Sequence, residues 1–61
     1  MIPTYVLNAS SGCDIIVVTR ELDADRVEIM WISAADEKRV GKLDWSFRSS
    51  LDNQEWWTRV D

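Results

Sequence analysis

Three acidic side chains, Glu21, Asp23 and Asp25, alternate over a short stretch, and their spacing raises the question of metal binding. Carboxylate oxygens are the ligands that hard cations such as Ca²⁺ prefer. The stretch has no EF-hand loop pattern, however, and a solvated acidic turn is the more common use of such residues. The favoured interpretation is therefore a turn between two strands, and the sequence predicts no metal and no other cofactor.

Catalytic side chains are scarce in this chain. It has no histidine, which removes the usual general base and the commonest metal ligand. Cys13 is the single cysteine, and without a histidine partner a small buried or idle thiol is favoured over a nucleophile. No glycine-rich phosphate loop is present. We therefore predict that the protein is not an enzyme, and the sequence gives no reason to infer a small-molecule ligand.

Length and charge narrow the remaining classes of function. The 61 residues predict one small domain, residues 1–61, with a net charge of −4 at pH 7. That charge repels nucleic acid and anionic membranes, so neither is an expected partner. A single cysteine cannot form an internal disulfide, and the sequence shows neither a signal-peptide pattern nor a transmembrane run. The expected location is the cytoplasm.

The pattern of apolar residues predicts a chain made almost entirely of strands. Residues 26–33 are rich in β-branched and aromatic residues and contain neither Gly nor Pro, which makes them the best candidate for a central strand. After them, Ser33 as a cap, early acidic residues, late basic residues and a closing Gly41 predict one short helical turn. The predicted strands are residues 4–8, 14–22, 26–33, 42–51 and 54–60.

Short connections predict that the five strands lie antiparallel and in chain order. The second and third strands are expected to pair with Arg20 opposite Glu28, since a slip by one residue would oppose Glu21 and Glu28. That register also places Val17 opposite Trp31. A flat sheet cannot bury its apolar face alone. The predicted fold is therefore all-β with one short helical turn, a five-stranded antiparallel meander curled into a small SH3-like, partly open barrel.

These registers divide the apolar residues between the two faces of the sheet. The fourth and fifth strands are expected to pair through a turn at residues 52–53, with Phe47 opposite Thr58 and with Trp45 nearly fully buried. The predicted core face holds Tyr5, Leu7, Ile15, Val17, Ile29, Trp31, Leu43, Trp45, Phe47 and Trp56. The opposite face holds Val6, Ile16, Val18, Met30, Ile32 and Trp57. Monomers rarely expose so large an apolar patch, so either the turn at residues 34–40 covers it, with Val40 pointing in, or another molecule does.

The apolar patch leads to a hypothesis about function. We expect a non-catalytic protein-interaction module or small accessory protein that acts through this face or through an edge strand, with a homodimer as one way to cover the patch. The alternative is an acidic inhibitor that mimics nucleic-acid charge on a basic protein partner. The predicted protein-binding residues are Ile16, Val18, Met30, Ile32 and Trp57. The acidic groups of the alternative are Glu21, Asp23, Asp25, Asp36, Glu37 and Asp44.

Overall fold

The β-branched and aromatic stretch Arg26–Ser33 forms the longest strand of the sheet, with the bounds that its sequence predicts. The structure is a computed structural model and describes residues 3–10 and 13–60. Its strands are β1 (Thr4–Leu7), β2 (Ile15–Glu21), β3 (Arg26–Ser33), β4 (Leu43–Phe47) and β5 (Trp57–Arg59). A short helix, α1 (Arg48–Leu51), precedes β5, and two 3₁₀ turns span Asn8–Ser10 and Glu37–Arg39.

All five strands belong to one antiparallel sheet, in the order β4-β3-β2-β1-β5. The predicted fold class, a small and mostly β domain of five antiparallel strands in one open sheet, is confirmed. The first four strands are neighbours in chain order, as short connections favour. The sheet is not closed, so β4 and β5 are its two edges.

The fifth strand pairs with β1 rather than with β4. Val6 lies opposite Thr58, and the N–H of Asn8 donates to the carbonyl of Trp56 at 2.8 Å. The predicted pairing of Phe47 with Thr58 is therefore wrong. The reason is that the chain turns away after β4 and crosses to the far side of the sheet before it becomes a strand again.

Helix α1 causes this change of direction. The alternation of large apolar residues that predicts a strand stops at Phe47, because position 49 is a serine, and the next one is Leu51, four residues further on. A spacing of four is one helical turn. The N–H of Arg48 donates to the carbonyl of Asp25, the residue before β3, at 2.8 Å. One turn of helix then brings Leu51 into the core, where it is buried.

A β-bulge at Thr19 decides which side chains of β2 face inward. The predicted pairing of Arg20 with Glu28 is confirmed, and the two side chains form an ion pair at 3.2 Å. Beyond Thr19 the register shifts by one residue, so Val17 lies opposite Met30 and not opposite Trp31. Because side chains alternate along a strand, a shift of one residue moves them to the other face. Ile16 and Val18 therefore point into the core, in place of Ile15 and Val17.

The core is small and lies between one face of the sheet and α1. Its buried residues are Tyr5, Ile16, Val27, Ile29 and Leu51. Three half-buried residues pack against them, Val18, Trp31 and Trp57. The predicted inward positions of Tyr5, Ile29 and Trp31 are confirmed. Four residues predicted to be in the core are instead exposed, Leu43, Trp45, Phe47 and Trp56.

The predicted helical turn between β3 and β4 is present in a shorter form. It spans Glu37–Arg39, and its cap is Asp36 rather than Ser33, with the carboxylate accepting from the N–H of Lys38 at 3.1 Å. Gly41 follows with φ of 84°, a left-handed conformation that glycine adopts without steric cost. Val40 is exposed. The interpretation in which this turn covers an apolar sheet face with Val40 pointing in is therefore wrong.

Candidate functional site

The five residues predicted to bind a protein do not lie on one surface. Ile16 is fully buried, and Val18 and Trp57 are half-buried against the core. Their predicted place on the outer face of the sheet, the face opposite the core, is wrong, because of the bulge at Thr19 and the pairing of β5 with β1. Met30 does lie on the outer face and is half-buried. Ile32 is 43% exposed and lies where the register between β2 and β3 shifts.

A different set of apolar side chains is exposed, on the edge strand β4. Leu43, Trp45 and Phe47, here called the β4 strip, are 60%, 47% and 49% exposed. Their alternation places them on one face of β4, as the sequence predicts, but that face is the outer one. The reason is the pairing with β3, where Trp45 lies opposite Glu28 and Phe47 opposite Arg26. Trp45 and Phe47 therefore have charged neighbours on β3, whereas Leu43 lies opposite Met30.

The aromatic rings of the strip are held in a defined arrangement. Trp45 and Phe47 meet edge to face, with ring centroids 5.0 Å apart and an interplanar angle of 88°. The guanidinium of Arg26 lies over the Trp45 ring, 5.4 Å from its centroid. Arg26 is fixed in turn by Asp23, whose carboxylate accepts from Nε at 2.7 Å. A surface ordered in this way loses less conformational entropy when a partner binds.

The carboxylates that border the strip are ionised and already have partners. Hydrogen bonds from the Arg26 side chain and from the backbone N–H of Asp25 lower the pKa of Asp23 below its ordinary value of 3.8. The Thr19 hydroxyl, at 2.8 Å, and then the guanidinium of Arg20 lower the pKa of Glu28 below 4.5. A partner that covers the strip therefore meets carboxylates whose charge is balanced locally.

The free edge of β4 runs along the strip. At the two ends of β4, the N–H of Arg48 donates to the carbonyl of Asp25 and the C=O of Lys42 accepts from the N–H of Trp31 at 3.2 Å, so within the strand the backbone groups of the even-numbered residues face β3. The backbone groups of the odd-numbered residues, which form the strip, consequently point away from the sheet. Two of these groups are satisfied by neighbouring side chains.

Those two local bonds come from the polar face of β4. The Asp44 carboxylate accepts from the N–H of Trp45 at 2.8 Å, and the Ser46 hydroxyl donates to the carbonyl of Phe47 at 3.2 Å. In the part of the chain that the structure describes, no strand pairs with this edge. The edge is therefore partly capped by flexible side chains and otherwise open.

Basic residues cluster at the start of β4. Arg39 lies over the ring of Trp31, 5.4 Å from its centroid, and a cavity of about 260 Å³ opens beside it. The residues that line this cavity are Trp31, Arg39, Lys42, Leu43 and Asp44. The Leu43 end of the β4 strip is thus bordered by positive charge, although the whole chain is acidic.

The predicted acidic turn is closed on itself. The Asp23 carboxylate accepts from the backbone N–H groups of Asp25 and Arg26, at 2.9 and 2.8 Å. Glu21 bonds Arg48 at 2.9 Å. Within residues 3–10 and 13–60, no group of three or more His, Cys, Asp and Glu side chains could hold a metal ion. Local hydrogen bonds and an ion pair thus account for two of the three carboxylates that first raised the question of a cation site, those of Glu21 and Asp23.

Two other features lie outside the β4 strip, the thiol of Cys13 and a cavity beside β5. Cys13 is an exposed free thiol, which excludes the buried alternative of the prediction and leaves the idle one. A cavity of about 450 Å³ lies between β1, α1 and β5. Its lining residues are Tyr5, Leu51, Asp52, Gln54, Trp57, Thr58 and Arg59. The Thr58 hydroxyl in this lining donates to the side-chain oxygen of Asn8.

The sequence does not predict the β4 strip as a surface, because it does not determine which face of the sheet the odd-numbered residues of β4 occupy. It placed Leu43, Trp45 and Phe47 together on one face, which is right. Apolar positions of a strand are assigned to the core by default. Whether they share a face with Ile29 or with Glu28 depends on the path of the chain between β3 and β4, which includes a 3₁₀ turn and Gly41. No sequence pattern determines that path.

Comparisons with known proteins do not indicate a function, so the proposal below is based on the surface of the domain. No protein-family model matches this chain, and no curated protein or solved structure is significantly similar to it. None of the helices in the described ranges has the length and apolar character needed to cross a membrane. The feature that calls for an explanation is the exposed aromatic strip on an open sheet edge.

Proposed function

We propose that this protein is a non-catalytic interaction module that binds a protein partner through the β4 strip. One observation supports this proposal most directly: three large apolar side chains lie exposed side by side on an edge strand. Tryptophan and arginine are the residues most enriched among interface positions that contribute strongly to affinity. Trp45 beneath Arg26 supplies both in one place.

The size of the strip fits the centre of a small interface. A buried aromatic side chain covers roughly 150–250 Å², so the exposed parts of the three side chains amount to about 300 Å². Specific interfaces bury about 800 Å² on each partner, with an apolar centre and a polar rim. Here the rim consists of Arg26, Glu28 and Lys42. The strip therefore supplies the apolar centre, and the surrounding charges supply selectivity.

The acidic inhibitor is the weaker proposal because several of its acidic groups are engaged. Glu21 and Asp23 form ion pairs with arginines, at 2.9 and 2.7 Å. Asp36 and Asp44 accept from backbone N–H groups. Charge mimicry needs carboxylates that are free to contact a basic partner. We also propose that the protein is cytoplasmic and does not bind nucleic acid. A net charge of −4 and a single cysteine support these two parts of the proposal.

Paired tryptophan variants test the docking surface. Trp56 is 56% exposed and lies outside the strip, so Trp56→Ser is a matched control for Trp45→Ser. Immobilised wild-type protein and both variants, checked for folding by circular dichroism, are exposed to an extract of the native host. We expect proteins bound by the wild type to be retained by Trp56→Ser and reduced at least about tenfold by Trp45→Ser. Equal binding by all three proteins would contradict the proposal.

A further inference from the structure

We infer that the β4 strip docks a second copy of this chain, with the two β4 strands antiparallel across a two-fold axis at Trp45. This inference rests on the proposed function and names the partner of the same surface. A two-fold interface requires a surface that complements itself. The strand Leu43–Phe47, with the sequence LDWSF, has that property.

When this strand is aligned antiparallel with its own copy, each apolar residue on the outer face lies opposite another apolar residue. With Trp45 opposite Trp45 of the second copy, Leu43 lies opposite Phe47 and Phe47 opposite Leu43. All three pairs are apolar, and cross-strand aromatic pairs stabilise a sheet. A single axis thus places each side chain of the strip beside an apolar side chain of the second copy.

The polar face of β4 is complementary in the same alignment. Asp44 lies opposite Ser46 of the second copy, and Ser46 opposite Asp44. A carboxylate accepts and a hydroxyl donates, so each pair can form a hydrogen bond. Asp44 now accepts from the N–H of Trp45, and Ser46 now donates to the carbonyl of Phe47. Turning both side chains toward the second copy would free those backbone groups for pairing between strands.

The backbone of the edge fits this register as well. The outward-pointing N–H and C=O groups belong to the odd-numbered residues 43, 45 and 47. The alignment at Trp45 places odd-numbered residues opposite odd-numbered residues, so outward donors meet outward acceptors. The sheet would then continue from one copy into the other and leave neither β4 edge open.

Neighbouring registers are less favourable. Centring the axis on Asp44 would oppose Asp44 to itself, a like-charge pair. Centring it on Ser46 would place Leu43 opposite Ser49, which lies in α1 and not in the strand. In the Trp45 register, Lys42 meets Arg48, but Arg48 is paired with Glu21 at 2.9 Å. The self-complementary register is therefore the one centred on Trp45.

The small area of the strip sets the strength of this contact. Interfaces well below the standard size are those of weak, transient complexes. We therefore expect a monomer–dimer equilibrium that depends on concentration over the micromolar range. Because Cys13 is exposed, the experiment uses a reducing buffer and repeats the measurement with Cys13→Ser, so that a disulfide-linked pair is not mistaken for this dimer.

Sedimentation velocity from micromolar to millimolar protein tests the inference. The wild type and Trp56→Ser should dimerise alike, whereas Trp45→Ser should weaken the dimer at least about thirtyfold. Leu43→Ser serves as a second variant if Trp45→Ser does not fold, since Leu43 is 60% exposed. In a mixed sample of labelled and unlabelled chains, filtered NMR should show contacts between Leu43 and Phe47. Within one strand these residues are about 13 Å apart, so the contacts can arise only between copies.

The outcomes separate this inference from the proposed function. A monomer at every concentration, or a dimer that Trp45→Ser leaves intact, overturns the inference. If the wild type is monomeric and still binds a host protein through Trp45, the docking surface stands and its partner is another protein. If neither self-association nor host-protein binding depends on Trp45, both the inference and the proposed function are wrong.

Discussion

Glu28 links the outer face of the sheet to the stability of the fold. Its carboxylate accepts from the Thr19 hydroxyl at 2.8 Å and pairs with Arg20 at 3.2 Å. These bonds favour the ionised form, and they lower the pKa of Glu28 from its ordinary value of 4.5. The same Thr19 hydroxyl lies 3.2 Å from the backbone carbonyl of Glu28, so the bulge residue contacts both parts of this partner.

The depressed pKa predicts how stability depends on pH. As the pH falls through 4.5, Glu28 in the unfolded chain takes up a proton while Glu28 in the folded protein stays ionised. The unfolded state is thereby favoured, and the contribution is lost in full once the pH has passed below the folded pKa. Thr19→Val, which removes the first cause of the shift, should reduce the acid-dependent fall in melting temperature. Identical pH profiles for wild type and variant would show that the hydroxyl does not hold the carboxylate.

At the scale of single elements, the sequence predicted the strands better than it predicted the connections. The bounds of β3 and the Arg20–Glu28 pair were predictable because strand propensity and charge pairing act locally. The bulge at Thr19 was not, because an extra residue in a strand is tolerated or excluded by the packing of side chains from other strands. That one residue decides whether Ile16 or Val17 reaches the core.

The contribution of helix α1 to the core can be tested by comparing one substitution at a buried leucine and at an exposed leucine. Leu51 is buried by α1 and Leu43 is exposed on β4, so the same substitution should have very different costs. Leu51→Ala should reduce the free energy of unfolding by about 2–5 kcal/mol, since it leaves a cavity in the core. Leu43→Ala should cost less than about 1 kcal/mol. Urea denaturation at low protein concentration, where self-association is minimal, would measure both values.

A reversed order of the two costs would have a definite meaning. If Leu43→Ala destabilised the protein more than Leu51→Ala, the outer face of β4 would be covered in the monomer. The predicted strand over residues 42–51 would then describe the chain better than α1. Equal and small costs would instead indicate that α1 does not contribute to the core.

At the scale of the whole molecule, the fold class was predictable and the docking surface was not. Small size, five apolar strands and short connections restrict the chain to a few β architectures. The identity of the exposed strip depends on the register in which β4 pairs with β3, which the path of the chain through residues 34–42 determines. The surface that we propose lies on an edge strand, as one form of the function hypothesis had it. The residues that the hypothesis named lie elsewhere, because Ile16 is buried in the core and Val18 and Trp57 pack against it.

Salt dependence distinguishes the two proposals for the whole molecule. Each copy carries a net charge of −4, so two copies repel one another through solvent, and added salt screens that repulsion. The contact across Trp45 is apolar and loses nothing by screening. We therefore expect the dimer to become slightly tighter as ionic strength rises.

An acidic inhibitor bound to a basic partner would behave in the opposite way, with affinity falling steeply. Measuring self-association and host-protein binding over the same salt series tests both. A steep loss of binding with salt would favour charge mimicry over the β4 strip.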